Sequence, residues 1–363
     1  MSYPVLKYNY SHFRKLVPKR TKLLVVVKSN AYGHGMLACA KYFSSLGADY
    51  LGVDCLEEAI VLRESGITTP LLVMGHTRPI DFVRATKLDI AITLTTLEQV
   101  GFLLKAQFKK KLLVHLKIDT GLHRQGFLES DMEKLMNAVV SSSWRKNVDL
   151  VGLYSHFASA ENKKDRAYTL SQIAQFTKLA DRVTDLGFTF IRHIGATSGI
   201  LAYPEGYFDM VRLGIGAYGL SSSSEMNDDK LRIALSWKSI VVEVKKISNG
   251  SFVGYDKTCK VSRDTVIAVV PVGYWHGYPW SVSNKGHVLI NGEKAQILGR
   301  ISMDMMVVDV TGISKVKMGS EVVLVGRSGR LAVTSEEVGA WSHSFNYEFV
   351  TRINPLLERR YKK

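Results

Sequence analysis

Up to about residue 220 the chain repeats one unit: a short run rich in valine, leucine and isoleucine, then a longer segment of helical period. The runs fall at residues 23–27, 50–53, 71–74, 90–93, 112–117, 148–154, 189–194 and 210–211, with helical segments such as 38–46, 57–65 and 166–186 between them. Continuous apolar runs of this length suit strands buried on both faces, and strands alternating with helices build parallel sheets. Eight such units imply an α/β fold, a (β/α)8 TIM-like barrel. After residue 225 the pattern changes to β-rich runs at 233–246, 266–272, 286–290, 295–298, 305–310 and 321–325, separated by Gly-containing turns. Asn291-Gly292 is a hairpin turn signal. A second, mainly β domain with one helix near 335–341 is expected. The polar, aperiodic stretch 221–229 marks the expected boundary, giving a barrel at 1–225 and a β-rich C-terminal domain at 226–363.

The chain carries 48 Lys and Arg against 33 Asp and Glu, a formal charge of +15. Such an excess raises the question of a nucleic-acid partner, but it is spread out: 28 basic to 20 acidic residues over 1–225, and 20 to 13 over 226–363. The densest runs, Lys109-Lys110-Lys111 and the tail Arg359, Arg360, Lys362 and Lys363, lack the interleaved aromatics on which single-stranded nucleic acid stacks. They read as solvated surface, with no nucleic-acid partner expected. The three cysteines, Cys39, Cys55 and Cys259, show no CxxC or metal-type spacing, which suits a reducing compartment and predicts neither disulfide nor metal site. No apolar run approaches the roughly 20 residues of a membrane span, and the N-terminus has no signal-peptide core, so no membrane partner and a cytoplasmic location are expected.

Barrel active sites form at the C-terminal ends of the strands, so polar residues there carry more weight than elsewhere. Lys28, Lys117, His156, Thr197 and Arg212 each close or follow an apolar run. Taken singly, each favours a structural reading: Lys28 a solvated strand end, His156 a satisfied buried histidine, Arg212 a salt-bridge partner. Their common placement favours a site. A lysine at an apolar barrel mouth has its amine pKa lowered by desolvation, which suits it to Schiff-base chemistry. Lys28 opens the string Lys28-Ser29-Asn30-Ala31-Tyr32-Gly33-His34-Gly35, whose glycines permit a tight turn.

That string resembles the pyridoxal-phosphate lysine motif of the alanine racemase family, the fold type III amino-acid racemases. Further collinear segments resemble the same family: Lys117-Ile118-Asp119-Thr120-Gly121-Leu122-His123-Arg124, Tyr154-Ser155-His156, His193-Ile194-Gly195-Ala196-Thr197-Ser198 and Arg212-Leu213-Gly214-Ile215-Gly216. In the second half, Gly273-Tyr274-Trp275-His276-Gly277, Gly299-Arg300-Ile301-Ser302-Met303-Asp304 and Asn346-Tyr347-Glu348 fall where the family has its remaining motifs.

The resemblance implies a pyridoxal 5'-phosphate enzyme, an isomerase that interconverts L- and D-alanine and so supplies D-alanine for peptidoglycan. Lys28 would hold the cofactor and serve as one acid/base group, and Tyr274 from the second subunit of a homodimer would serve as the other. Inverting a stereocentre takes a proton from one face and returns one to the other, which a single lysine does poorly. A phenol has an unperturbed pKa of about 10, so Tyr274 needs neighbours that lower it, and the resemblance supplies His156 and Arg212. Arg212 would also face the cofactor's pyridine nitrogen. Tyr32, Tyr347, Thr197, Ser198 and the backbone of Gly214 and Ile215 would hold the phosphate. Arg124 would bind the cofactor's phenolic oxygen and, with the Met303 N–H, the substrate carboxylate. Lys117 would crowd Arg124 unless it carries the carbamate found in family members.

Three positions depart from the family pattern: His276 where GY-x-D-G is common, Ala196-Thr197 for an Asn-Ser pair, and Leu213 for a proline. These leave a serine or broad-specificity racemase open. A decarboxylase on a similar barrel, and a non-catalytic pyridoxal-phosphate carrier, are the remaining readings.

Overall fold

The computed structural model describes residues 1–221, 223 and 228–362, so the boundary expected at 225/226 lies outside the described residues. The chain forms two compact units: one comprises Pro4–Ala31 and Met36–Arg232, the other Met1–Tyr3, Tyr32–Gly35 and the chain from Ile233 onward.

The first unit holds eight parallel strands: β1 (Lys22–Val26), β2 (Tyr50–Val53), β3 (Leu71–Val73), β4 (Ile90–Leu94), β5 (Leu112–Lys117), β6 (Val148–Tyr154), β7 (Ile191–His193) and β8 (Met210–Leu213). All eight expected runs are strands. Their order is sequential from β7 back to β1, with β8 on the free edge of β1. Asp209 N–H donates to the Arg192 carbonyl at 3.1 Å and Arg212 N–H to that of Gly195 at 3.0 Å, so the ring closes between β7 and β8. Leu23, Leu24, Val25, Leu72, Val73, Ile92 and Leu94 are fully buried, which is why these strands read as unbroken apolar runs. The helix Arg166–Thr184 buries Thr169, Gln172, Ile173, Phe176, Leu179, Ala180 and Val183, a single stripe at helical spacing. A helix absent from the expectations, Tyr3–Leu16, buries Leu6, Asn9, Tyr10 and Phe13. Its Asn9 side chain exchanges hydrogen bonds with Arg232, accepting from N–H at 3.0 Å and donating to the carbonyl at 2.8 Å.

Directly after β1 the backbone turns left-handed: Ser29, Asn30 and Ala31 have φ of 54°, 56° and 53°, and Tyr32 follows at 51°. Each non-glycine residue in this conformation costs roughly 1–2 kcal/mol, so surrounding contacts must hold the turn.

In the second unit, strands β9 (Trp237–Ile240), β10 (Glu243–Ile247), β13 (Thr265–Val270), β14 (His287–Ile290), β15 (Glu293–Leu298), β16 (Met306–Asp309), β17 (Glu321–Ser328) and β18 (Leu331–Val333) form an antiparallel sheet, and β11 (Phe252–Val253) pairs with β12 (Cys259–Lys260). The single run expected at 233–246 is two strands. Val241 N–H donates to Ser320 O and Val242 N–H to Val269 O, so the chain changes partner from β17 to β13 between adjacent residues. Asn291 and Gly292, with φ of 50° and 83°, make the two-residue turn joining β14 to β15, as expected. The predicted helix is present at Ser335–Trp341, with Thr334 and Glu337 capping each other's backbone N–H. Among the described residues no helix is long and apolar enough to cross a membrane.

Candidate active site

In the first unit the strand ends converge on Arg212. It lies on β8 in register with Leu24 of β1, and Lys28 follows β1 at the same end of the barrel. Arg212 is buried, yet among the described residues no carboxylate meets it. Nη1 donates to Nδ1 of His193 at 2.7 Å, and Nη2 donates to Nδ1 of His156 at 2.9 Å and to the carbonyls of Ser155 at 2.8 Å and Ile194 at 2.7 Å. Every acceptor is neutral, so the guanidinium keeps its whole charge. Burial lowers its pKa to about 10, which leaves it protonated at neutral pH.

The bonds to Arg212 also set the histidines. His193 accepts at Nδ1, so its proton sits on Nε2, 3.0 Å from Nδ1 of His115. His115 must then carry its proton on Nε2, a buried atom with no partner among the described residues. Burial first, then the Arg212 charge, pushes the His115 pKa down to about 3 and holds His156 and His193 well below the usual imidazole range. Tyr154 stacks on His193 with centroids 4.7 Å apart, and its hydroxyl lies 3.0 Å from that of Thr93.

The lysine that burial discharges is Lys117, at the end of β5. Desolvation, followed by the Arg124 and Arg212 charges, lowers its pKa to about 7. Lys28 instead donates from Nζ to Oδ1 of Asp54 at 2.9 Å and is partly exposed. Asp119 accepts from the N–H groups of Gly121 and His123, curling the loop that leads to Arg124. Thr197 accepts from Gly214 N–H at 3.1 Å and Gly216 N–H at 3.4 Å, so its own hydroxyl proton is left to donate elsewhere.

In the second unit Tyr32 and Tyr347 meet edge to face, centroids 6.0 Å apart. Tyr274 opens a short 3-10 turn, where its N–H donates to Ser302 O and Trp275 N–H donates to Met303 O. A side chain at Gly273 would overlap those two carbonyls, so only glycine lets the two turns meet. His276 accepts from Gly273 N–H at 3.1 Å through Nδ1 and thereby closes the turn. An aspartate can accept in the same way, which explains in physical terms why His276 can replace it.

Residues 2–222 match the family model described as alanine racemase, N-terminal domain, and residues 234–361 match alanine racemase, C-terminal domain. The chain belongs to the alanine racemase family. It is 35% identical over 361 residues to alanine racemase from Halothermothrix orenii, covering 98% of this chain and 94% of that one. Among solved structures, that of alanine racemase from Bacillus anthracis with bound L-Ala-P superposes with a TM-score of 0.92 at 30% identity, over 97% of this chain and 91% of that one. Alanine racemase from Clostridium difficile 630 gives 0.92 at 31%, over 100% and 94%. These likenesses bear out the family, the barrel and the β-rich second part expected from the sequence.

Several residues that contact Lys28, His193 or His156 escape a reading of strand ends alone. His115 lies two residues before Lys117 and shares its face of β5, so alternation along the strand is the signal for it. Asp54 follows β2 directly and meets the same criterion as Lys28. Gln172, a polar residue on the buried stripe of its helix, accepts from Ala158 N–H and donates to the His156 carbonyl at 3.3 Å.

Proposed function

We propose that the chain is a pyridoxal-phosphate-dependent alanine racemase working by a two-base mechanism, with Lys28 and Tyr274 on opposite faces of the amino acid. The observation that carries the reading is Arg212: a buried cation that no carboxylate meets among the described residues, on β8, the neighbour of the strand that leads to Lys28.

The residues fit the cofactor. Four of the five guanidinium hydrogens of Arg212 are committed to neutral acceptors, and Nε is left with no partner among the described residues, a donor for a pyridine nitrogen. Within the barrel unit the Thr197 and Ser198 hydroxyls and Ile215 N–H are donors that suit a phosphate, and the reading adds the hydroxyls of Tyr32 and Tyr347. Gly214 N–H is given to Thr197 and supports that hydroxyl. Lys28 would hold the cofactor, and Arg124 with the Met303 N–H would orient the substrate carboxylate. When bound, the cofactor supplies the electron sink that makes the α-proton acidic.

The chain's own groups do the rest. Lys28 Nζ and the Tyr274 hydroxyl exchange protons with the two faces. Arg212 keeps its protons, so it donates to the pyridine nitrogen without protonating it. His156, neutral with its proton on Nε2, has that N–H to give to the Tyr274 oxygen. At neutral pH Lys117 is part free amine, the form that adds carbon dioxide to give a carbamate and a proton; the new negative charge would offset Arg124.

In this reading residues 1–225 bind the cofactor and residues 226–363 bring Tyr274 to the second subunit of a homodimer. Tyr274, Trp275, Met303 and Met305 are all exposed on adjoining turns, an apolar face of the kind that partners cover. The enzyme works in the cytoplasm and its D-alanine serves peptidoglycan. The test is incubation with pyridoxal phosphate and L-alanine in deuterated water. D-alanine carrying deuterium at the α-carbon, lost in Lys28→Ala, is expected. Alanine that stays L and unlabelled overturns the reading, and L-serine run in parallel reports a shifted substrate preference.

A further inference from the structure

The left-handed turn after Lys28 needs an external hold, and the half-buried carboxylate of Glu58 provides one. Oε1 accepts from Ser29 N–H at 2.7 Å and Oε2 from Asp54 N–H at 2.8 Å. Ser29 is the first left-handed residue, and Asp54 is the ion-pair partner of Lys28, so one carboxylate fixes the backbone beside the lysine and the backbone of its counter-ion. Glu58 stands in the first turn of the helix Leu56–Glu64, where an acidic side chain is favourable for capping alone. Capping needs one oxygen. The second oxygen reaches a different loop, 29 residues earlier, which a cap has no need of. Within the turn Ala31 N–H also donates to Val27 O at 2.9 Å, and Asn30 Oδ1 accepts from Met36 N–H at 2.9 Å.

We infer that Glu58 is a positioning residue for Lys28: it clamps the strained turn to the Asp54 loop and so sets where the lysine amine stands. The inference rests on the racemase reading for its catalytic consequence and on geometry alone for the placement of Lys28. Glutamine at 58 keeps the volume but has one acceptor where two N–H groups converge, so the clamp is halved. A glycine at Ser29 adopts the left-handed conformation without a Cβ penalty and needs less clamping.

The experiment compares Glu58→Gln, Glu58→Gln with Ser29→Gly, and Glu57→Gln as a first-turn control. In the cofactor-free protein, the rate at which trinitrobenzenesulfonate labels Lys28, read by peptide mass spectrometry, should rise several-fold in Glu58→Gln, fall back in the glycine double variant and stay unchanged in Glu57→Gln. With pyridoxal phosphate and alanine, kcat should fall about 10-fold or more in Glu58→Gln with KM little changed, since misplacing a reacting group by a fraction of an ångström has that order of effect. Unchanged Lys28 labelling with only a lowered melting temperature would reduce Glu58 to a helix cap and overturn the inference. If the parent protein does not racemise alanine, the functional reading fails, while the labelling ratio still decides the clamp.

Discussion

Nη1 of Arg212 donates to Nδ1 of His193 at 2.7 Å, and this bond dictates the proton positions of two buried histidines in succession. The two links in that series differ in what their loss leaves behind. His193→Leu strips a guanidinium hydrogen of its acceptor inside the barrel and should destabilise by about 1.5–3 kcal/mol, the range for a bond to a charged group. His115→Phe removes an acceptor from His193 Nε2 but also removes a donor that already lacks a partner among the described residues. Chemical denaturation should therefore rank His193→Leu clearly below His115→Phe.

The same histidines set the acid limit of stability. Burial holds His115, His156 and His193 below the value of 6.5 that an exposed imidazole has. Above pH 6.5 neither the folded nor the unfolded chain protonates them. As pH falls below 6.5 the unfolded chain takes up protons that the folded one refuses, so their contribution is complete above 6.5 and is lost toward the folded-state values, about 3 for His115. Urea unfolding should weaken from pH 6.5 downward, before the carboxylates titrate, and His115→Phe should reduce the slope by about 1.4 kcal/mol per pH unit.

The eight strands were legible because strands buried on both faces must be apolar throughout, and each run ends where a polar residue meets the barrel mouth. Lys28, His156 and Arg212 were visible for that reason. The left-handed turn was not: in Ser29-Asn30-Ala31-Tyr32 only asparagine favours that conformation, and Glu58, the residue that holds it, is supplied from a helix 29 residues further along the chain. Nor could the run 233–246 disclose its break, since Val241 and Val242 are both good strand residues and only their partners differ. The helix Tyr3–Leu16 hides its buried stripe behind Asn9, a polar residue whose bonds to Arg232 lie far along the chain. Pairing partners remote in sequence account for each of these gaps.

Lys117 titrates in the opposite window. Its folded pKa of about 7 lies below the ordinary 10.5, so between those values the unfolded chain holds a proton that the folded chain has released, and stability rises with pH across that interval. In bicarbonate-free buffer Lys117→Met should abolish the rise and stabilise the protein near neutral pH, by up to about 4 kcal/mol. Added 13C-bicarbonate should give a carbamate resonance in the parent protein that is missing from Lys117→Met.

Tyr278 is fully buried with a hydroxyl that has no partner among the described residues, and burial raises its pKa well above the ordinary phenol value. Tyr278→Phe removes an unsatisfied polar atom without changing the ring's contacts with Trp237 and Phe349. It should raise the melting temperature, with a gain of about 1 kcal/mol.

A site shared between subunits has a consequence that a site within one chain lacks. Lys28→Ala and Tyr274→Phe should each abolish racemisation. When the two are mixed and allowed to exchange subunits, a hybrid dimer contains one site built from the intact Lys28 of one chain and the intact Tyr274 of the other. Random reassortment makes half the dimers hybrid, each with one working site of two, so activity should recover to about a quarter of the parent value. No recovery, with subunit exchange verified by mass, would mean that Lys28 and Tyr274 act within one chain and that the exposed face of Tyr274, Trp275, Met303 and Met305 serves another end.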